Sequence, residues 1–298
     1  MSLSECIPWM TVGLAESIAV VTLNLCTIIV FIRNRNLRKR SMYLVINLAV
    51  IDMLVGGISV YDLFYLPGIM CNLWMRLSIE DGTFYFIRVI IFLFCFGSLT
   101  NIAIIALERA HATLYPFRHR VLKKWVYGLI IVVVWVTSGL VAIAYTLLRQ
   151  SEETYYYGLY LFITFPSICL LIICVSFTSI VIKVRCGAQP QHHGAASRER
   201  KLTTTLLIGT VVSLLLYLPY VTLRFVDYII KFKIWRSRPP SVRFHLEYAL
   251  LILIYANSLV NPILYVMRMP EYRSALLALF RKRPQKQRQV AVFPLRGM

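Results

Sequence analysis

Two groups of residues place polar chemistry inside chain that is otherwise apolar. Glu108-Arg109 end a hydrophobic run that begins at Phe84, and Tyr115-Pro116-Phe117-Arg118-His119 follows. An acid beside a guanidinium at the end of such a run forms an ion pair at the edge of an apolar medium, where exchanging partners carries a real energy difference. Asp52, in Asn47-Leu48-Ala49-Val50-Ile51-Asp52, is the second focus, with Asn24, Ser98, Asn257 and Asn261 at similar depth in other runs. One carboxylate among neutral oxygens suits a Na⁺ or a proton, and a packing network of hydrogen bonds without an ion fits the same residues. Ser98 precedes Arg109 by eleven residues, which sets this cluster about 16 Å from the charged end. Enzyme chemistry finds no footing. There are no paired catalytic acids, no His-Glu-x-x-His and no serine beside a membrane-embedded base, and His192-His193 stand in a Gly- and Pro-bearing stretch that makes a poor metal site.

The elements that must carry these groups are apolar and long. The chain has 298 residues, 59% hydrophobic and only 15% charged, with a mean hydropathy of +0.70, against about 25% charged in soluble domains. Runs at 9–32, 42–68, 84–114, 124–147, 156–183, 201–230 and 244–267 each supply the ~20 residues that cross a hydrocarbon core. Lipid offers backbone groups no partners, so each is read as a helix. The expectation is an all-α membrane protein: one seven-transmembrane helix bundle over 1–280, a short amphipathic cytoplasmic helix at 271–280 after the seventh span, and a basic disordered tail at 281–298. Pro219 and Pro262 fall inside the sixth and seventh runs and predict kinks.

A net charge of +19 raises nucleic acid as a partner, but its distribution argues for membrane lipids instead. Most Lys and Arg fall in the loops and tail of one side, from Arg33–Arg40, Arg118–Lys124 and Lys183–Lys201 to the C-terminal segment. That side is cytoplasmic by the positive-inside rule. Seven spans then put the N-terminus outside, with no cleavable signal expected because the first run is too long. Of seven cysteines, only Cys6 and Cys71 face an oxidising space, either bonded or as two free thiols. A transporter relaying ions or protons through Asp52 is the alternative class. The lack of internal repeats and of a second acid at mid-depth weighs against it.

Taken together, Asn24, Leu48-Ala49-Val50-Ile51-Asp52, Glu108-Arg109-Ala110, Trp135, Pro219 and Asn261-Pro262-Ile263-Leu264-Tyr265 resemble the rhodopsin-like (class A) G-protein-coupled receptors over nearly the whole chain. The resemblance implies a plasma-membrane receptor for an extracellular ligand, coupled to a heterotrimeric G protein through outward movement of the sixth helix. It implies that Arg109 is the activation arginine, with Glu108 its neighbouring acid and Phe117 a further G-protein contact. Glu199 falls where the family's ionic-lock glutamate lies, though within Arg198-Glu199-Arg200-Lys201 it also reads as a solvated charge. Asn24, Asp52, Ser98, Asn257 and Asn261 match the family's allosteric Na⁺ site, and no other cofactor is implied. Tyr265 would swing inward on activation. Several positions depart from the pattern: Ala110 for tyrosine, Tyr217 for the toggle tryptophan, Ser213 for a phenylalanine, Cys174 for a tyrosine and Phe84 for the disulfide cysteine. These put the firmness of the resting state in doubt and admit ligand-independent signalling. The missing cysteine pair and Arg268-Met269-Pro270-Glu271-Tyr272-Arg273 loosely resemble the melanocortin, adenosine and cannabinoid cluster.

The same resemblance outlines an outer pocket of Asp62, Arg88, Ile91, Cys95, Phe162, Tyr217, Tyr220, Arg224, Leu251 and Tyr255. Ile91 stands where amine receptors carry an aspartate, and Tyr255 where opsins carry their Schiff-base lysine. Arg88 and Arg224, with Lys231, Lys233, Arg236, Arg238 and Arg243 nearby, point to an acidic or amphipathic ligand. Asp62, Asp227 and Glu247 are candidate internal partners for those cations, and lipid phosphates compete for the basic loop.

Overall fold

The computed structural model describes residues 2–34, 42–73, 81–186, 195–229 and 237–280. Within them, side chains are described except at 81, 184–186, 195–203, 206, 210, 227–229 and 280. Every regular element in these residues is helical. We number the long helices α1 (Leu3–Arg33), α2 (Met42–Met70), α3 (Asp81–Leu114), α4 (Lys124–Leu148), α5 (Tyr155–Cys186), α6 (Ala195–Ile229) and α7 (Pro240–Arg268). Each contains a stretch long and apolar enough to cross a membrane. A shorter helix, α8 (Pro270–Phe280), follows α7, and an inner helix (Pro116–Val121) links α3 to α4.

The helices run further than the apolar pattern. α1 starts at Leu3 because the Ser2 amide donates to the Glu5 carboxylate at 2.9 Å, closing the first turn. α6 begins at Ala195, before its apolar run. α2 widens into a π-helical turn at Tyr61–Tyr65, beside the outer cavity described below. α6 and α7 continue through Pro219 and Pro262.

The bundle is a ring with α3 through its middle. α3 packs on α2, α4, α5 and α6, and α7 closes onto α1, α2 and α6. Without a hydrophobic drive between helices in lipid, close backbone approach and hydrogen bonds must hold them. The α1–α2 contact shows both. A Cβ on Gly13 would come within 2.6 Å of Leu63, and one on Gly56 within 2.6 Å of Val20. Beside them the Ser17 and Ser59 hydroxyls are 2.7 Å apart. A second tie joins three helices: Trp135 Nε1 donates to Asn47 Oδ1 at 3.1 Å, Asn47 Nδ2 to Asn101 Oδ1 at 3.1 Å, and Asn101 Nδ2 to the Leu44 carbonyl at 3.0 Å.

α8 is docked by its apolar face. Tyr272 is buried, its ring tilted against that of Phe31 at 5.5 Å, and its hydroxyl lies 2.8 Å from that of Thr27. Burial raises the Tyr272 phenol above its ordinary range, so it stays a neutral donor. Cys6 and Cys71 are joined in a disulfide, tying the start of α1 to the end of α2. The tail at 281–298 and the cations Lys231, Lys233 and Arg236 lie outside the described residues.

Candidate functional site

Three polar sites follow one another along the bundle. At the end opposite the disulfide, Arg109 is only 5% exposed and is held by its neighbour: Nη2 donates to Glu108 Oε1 at 2.6 Å. Glu108 is gripped again from outside α3. His119 Nε2 lies 2.7 Å from Glu108 Oε1, and the Tyr127 hydroxyl donates to the same oxygen at 3.3 Å. α3, the inner helix and α4 thus meet on one carboxylate, a set in which neither His119 nor Tyr127 was expected. The lock partner expected across the bundle, Glu199, has its side chain outside the described residues. Phe117, on the inner helix, is 81% exposed.

At mid-depth Asp52 is fully buried and accepts three hydrogen bonds: from Ser98 at 2.7 Å, Ser258 at 3.0 Å and Asn261 Nδ2 at 3.2 Å. Ser258 is the member that sequence reasoning missed; its neighbour Asn257 drew the attention. Asn24 reaches the set indirectly, donating to the Ser258 carbonyl at 2.9 Å. Asn257 does not bond to Asp52. Its side chain faces the Tyr217 hydroxyl, yet neither amide atom has a partner of hydrogen-bonding geometry among the described residues, and nor does Asn24 Oδ1. Below this layer Tyr265 is buried against Phe31 and Tyr272, its hydroxyl likewise without a partner there. Cys174, where the family carries a tyrosine, is exposed on α5. Asp52 is also not the only buried acid: Glu16 on α1 is 9% exposed, and neither carboxylate oxygen has a partner among the described residues. Its position inside the first apolar run was a readable signal.

Toward the disulfide end lies a cavity of about 810 Å³. All ten expected pocket residues, from Asp62 to Tyr255, line it. Asp62 accepts a hydrogen bond from the Tyr255 hydroxyl at 2.6 Å and lies in the field of Arg88. Arg224 forms an ion pair with Glu247 and lies 4.8 Å over the Tyr220 ring. Of the two arginines expected to meet an anion, Arg224 is thus paired with an acid of the protein itself, while Arg88 lies 5.3 Å over the Phe84 ring. Two more, Arg149 and Arg243, also line the cavity. The Asp227 side chain lies outside the described residues.

A family model described as 7 transmembrane receptor (rhodopsin family) matches residues 23–265. Among known proteins, the histamine H2 receptor of Canis lupus familiaris is 26% identical over 282 residues, covering 84% of this chain and 73% of the receptor. The H2 receptor of Rattus norvegicus is 26% identical over 93% of this chain and 82% of its own length. The histamine H4 receptor of Mus musculus is 34% identical over 127 residues, 41% of this chain and 30% of that receptor. None of these three belongs to the melanocortin, adenosine and cannabinoid cluster. The match over 23–265, spanning the buried Asp52 layer, the Glu108–Arg109 end and the cavity between them and the disulfide, places the chain in the rhodopsin family of seven-transmembrane receptors.

Proposed function

We propose that the chain is a plasma-membrane G-protein-coupled receptor that binds an extracellular ligand in its large cavity and promotes nucleotide exchange on a heterotrimeric G protein at the opposite face. The observation that carries this reading is Arg109, a guanidinium buried in an ion pair at the end of the central helix. Such a pair resists opening unless another partner replaces it. A ligand with higher affinity for an open arrangement shifts the population toward it. Outward movement of α6 would then free Arg109 for the G protein, beside the exposed Phe117. The orientation, with the N-terminal end of α1 outside, is supported by the disulfide at that end and the basic residues at the other.

Asp52, Ser98 and the unpartnered amide oxygens of Asn24 and Asn257 form an oxygen-rich buried set that fits a hard cation such as Na⁺. The ion would supply positive charge to Asp52, while Ser98, Ser258 and Asn261 orient the carboxylate.

The relatives' names raise histamine as a ligand. The cavity does not favour a cation: Ile91 holds the third-helix position, and both lining acids are engaged by Tyr255 and by arginines.

The test is guanine-nucleotide uptake by purified G proteins of each family, with receptor in lipid nanodiscs, with and without ligand. Exchange above receptor-free discs is expected. Arg109→Ala should lower it by on the order of tenfold, the loss of one charge-assisted contact. Exchange in the absence of ligand measures constitutive activity. No exchange with any family, together with Asp52-dependent ion flux, would return the transporter reading.

A further inference from the structure

We propose that the outer cavity takes an elongated anionic amphiphile, its carboxylate or phosphate head drawn to the positive mouth to which Arg149 and Arg243 contribute and its apolar body lying along the wall of Phe92, Phe96 and Phe162. The proposal rests on the receptor reading and names the ligand class for it. It starts from the cavity's charges, which are four arginines and two acids. Glu247 is taken by Arg224, and Asp62 by Tyr255 and the field of Arg88. Arg149 and Arg243 remain. Arg149 lies over the Tyr155 ring at 3.9 Å, a contact that engages the guanidinium's face and leaves its edge donors to an acceptor. Arg243 carries a buried Nε that meets no acceptor among the described residues. A buried donor without an acceptor is destabilising, and an anion beside Arg243 removes that penalty.

The field points the same way. Arg149, Arg224 and Arg88 all act on the Tyr145 hydroxyl, so positive potential converges on the α3–α4–α6 side of the cavity. Arg149 caps the outer end of α4, and Arg243 lies in the first turn of α7, so the surplus charge is at the mouth. Below it the lining turns apolar. Phe92 and Phe96 stack at 5.8 Å, and Phe162 lies 6.0 Å from Phe96. Arg88 and Leu99 line the same cavity eleven residues apart on α3, about 16 Å along the axis. Positive charge at the mouth and an aromatic wall of Phe92, Phe96 and Phe162 along a cavity of that depth fit an amphiphile better than a compact ion. An amine head would meet two uncompensated guanidinium groups and acids that are already paired.

The experiment uses the full chain in nanodiscs, with discs lacking receptor as background. Saturable binding is measured for dodecanoate, dodecyl phosphate, dodecanol and dodecylamine. Binding by one or both anions is expected, with dodecanol and dodecylamine weaker by on the order of 10- to 100-fold. Whichever anion binds tighter assigns the head as carboxylate or phosphate. The R149Q/R243Q double variant should lose affinity for that anion by a similar factor. Unchanged affinity in a folded double variant, dodecylamine binding as tightly as the anions, or no saturable anion binding would each overturn the proposal. If the double variant does not fold, the head-group ranking on the unmodified chain decides. Nucleotide exchange in the same discs separates the two claims. Anion binding without exchange on any G protein sinks the receptor reading alone, and exchange without anion binding sinks this one alone.

Discussion

Asp52 accepts hydrogen bonds from α3 and α7, and no cationic side chain is among its bonded partners. A carboxylate so placed is best balanced by an ion, since neutral donors offset only part of the cost of a buried charge. Asp52→Asn keeps the shape and removes the charge. Unfolding of the unmodified receptor should move to higher temperature when NaCl replaces choline chloride, as mass action on a bound ion requires. The variant should show no such shift, and a persistent one would place the ion elsewhere. Asp52, Ser98 and Asn261 were readable in the sequence because polar groups in apolar runs stand out. Ser258 was not, because serine is common in membrane helices and nothing local shows that its hydroxyl reaches another helix. The pairing of Arg224 with Glu247 was half-legible. The two are 23 residues apart on different helices, so the sequence offered Glu247 as one of three candidate partners for the outer cations, beside an anionic ligand, without showing which the arginine meets.

At the scale of elements, the Glu108 carboxylate joins α3, the inner helix and α4 through His119 and Tyr127. Glu108 in turn fixes Arg109, so among the described residues these elements restrain the arginine. His119→Ala removes the 2.7 Å contact and loosens Glu108. Basal nucleotide exchange should rise, roughly fivefold for a loss of about 1 kcal/mol. Unchanged basal exchange in a variant that still responds to ligand would show that His119 does not hold the resting state. The long helices themselves were legible, because apolar runs of this length have few other fates. Their ends were less so. α1 is extended by the Ser2–Glu5 turn and α6 by polar residues before its apolar stretch, and hydropathy is blind to both.

Across the whole molecule, the disulfide and the α1–α2 glycine contacts pin the first two helices together at one end. The bridge closes a separation of 65 residues, and the loop-entropy account assigns such a link about 4 kcal/mol. Cys6→Ser with Cys71→Ser, or a thiol reductant on the unmodified chain, should lower the unfolding temperature by the same amount in nanodiscs. If neither treatment moves it, membrane insertion alone has already removed the entropy that the link would restrict. The seven-helix architecture was the most legible level of all. The disulfide stood as one of two readings, because sequence places two cysteines in one compartment without showing that their backbones meet.

The Thr27–Tyr272 contact spans 245 residues. Chains are synthesised from the N-terminus, so the inner end of α1 is made among the first turns and completed among the last. Until α8 emerges, Phe31 and the Thr27 hydroxyl lack their Tyr272 partner. A nascent chain stalled before residue 272 would hold seven helices and an unfinished seam beside Thr27 and Phe31, which arrival of Tyr272 completes.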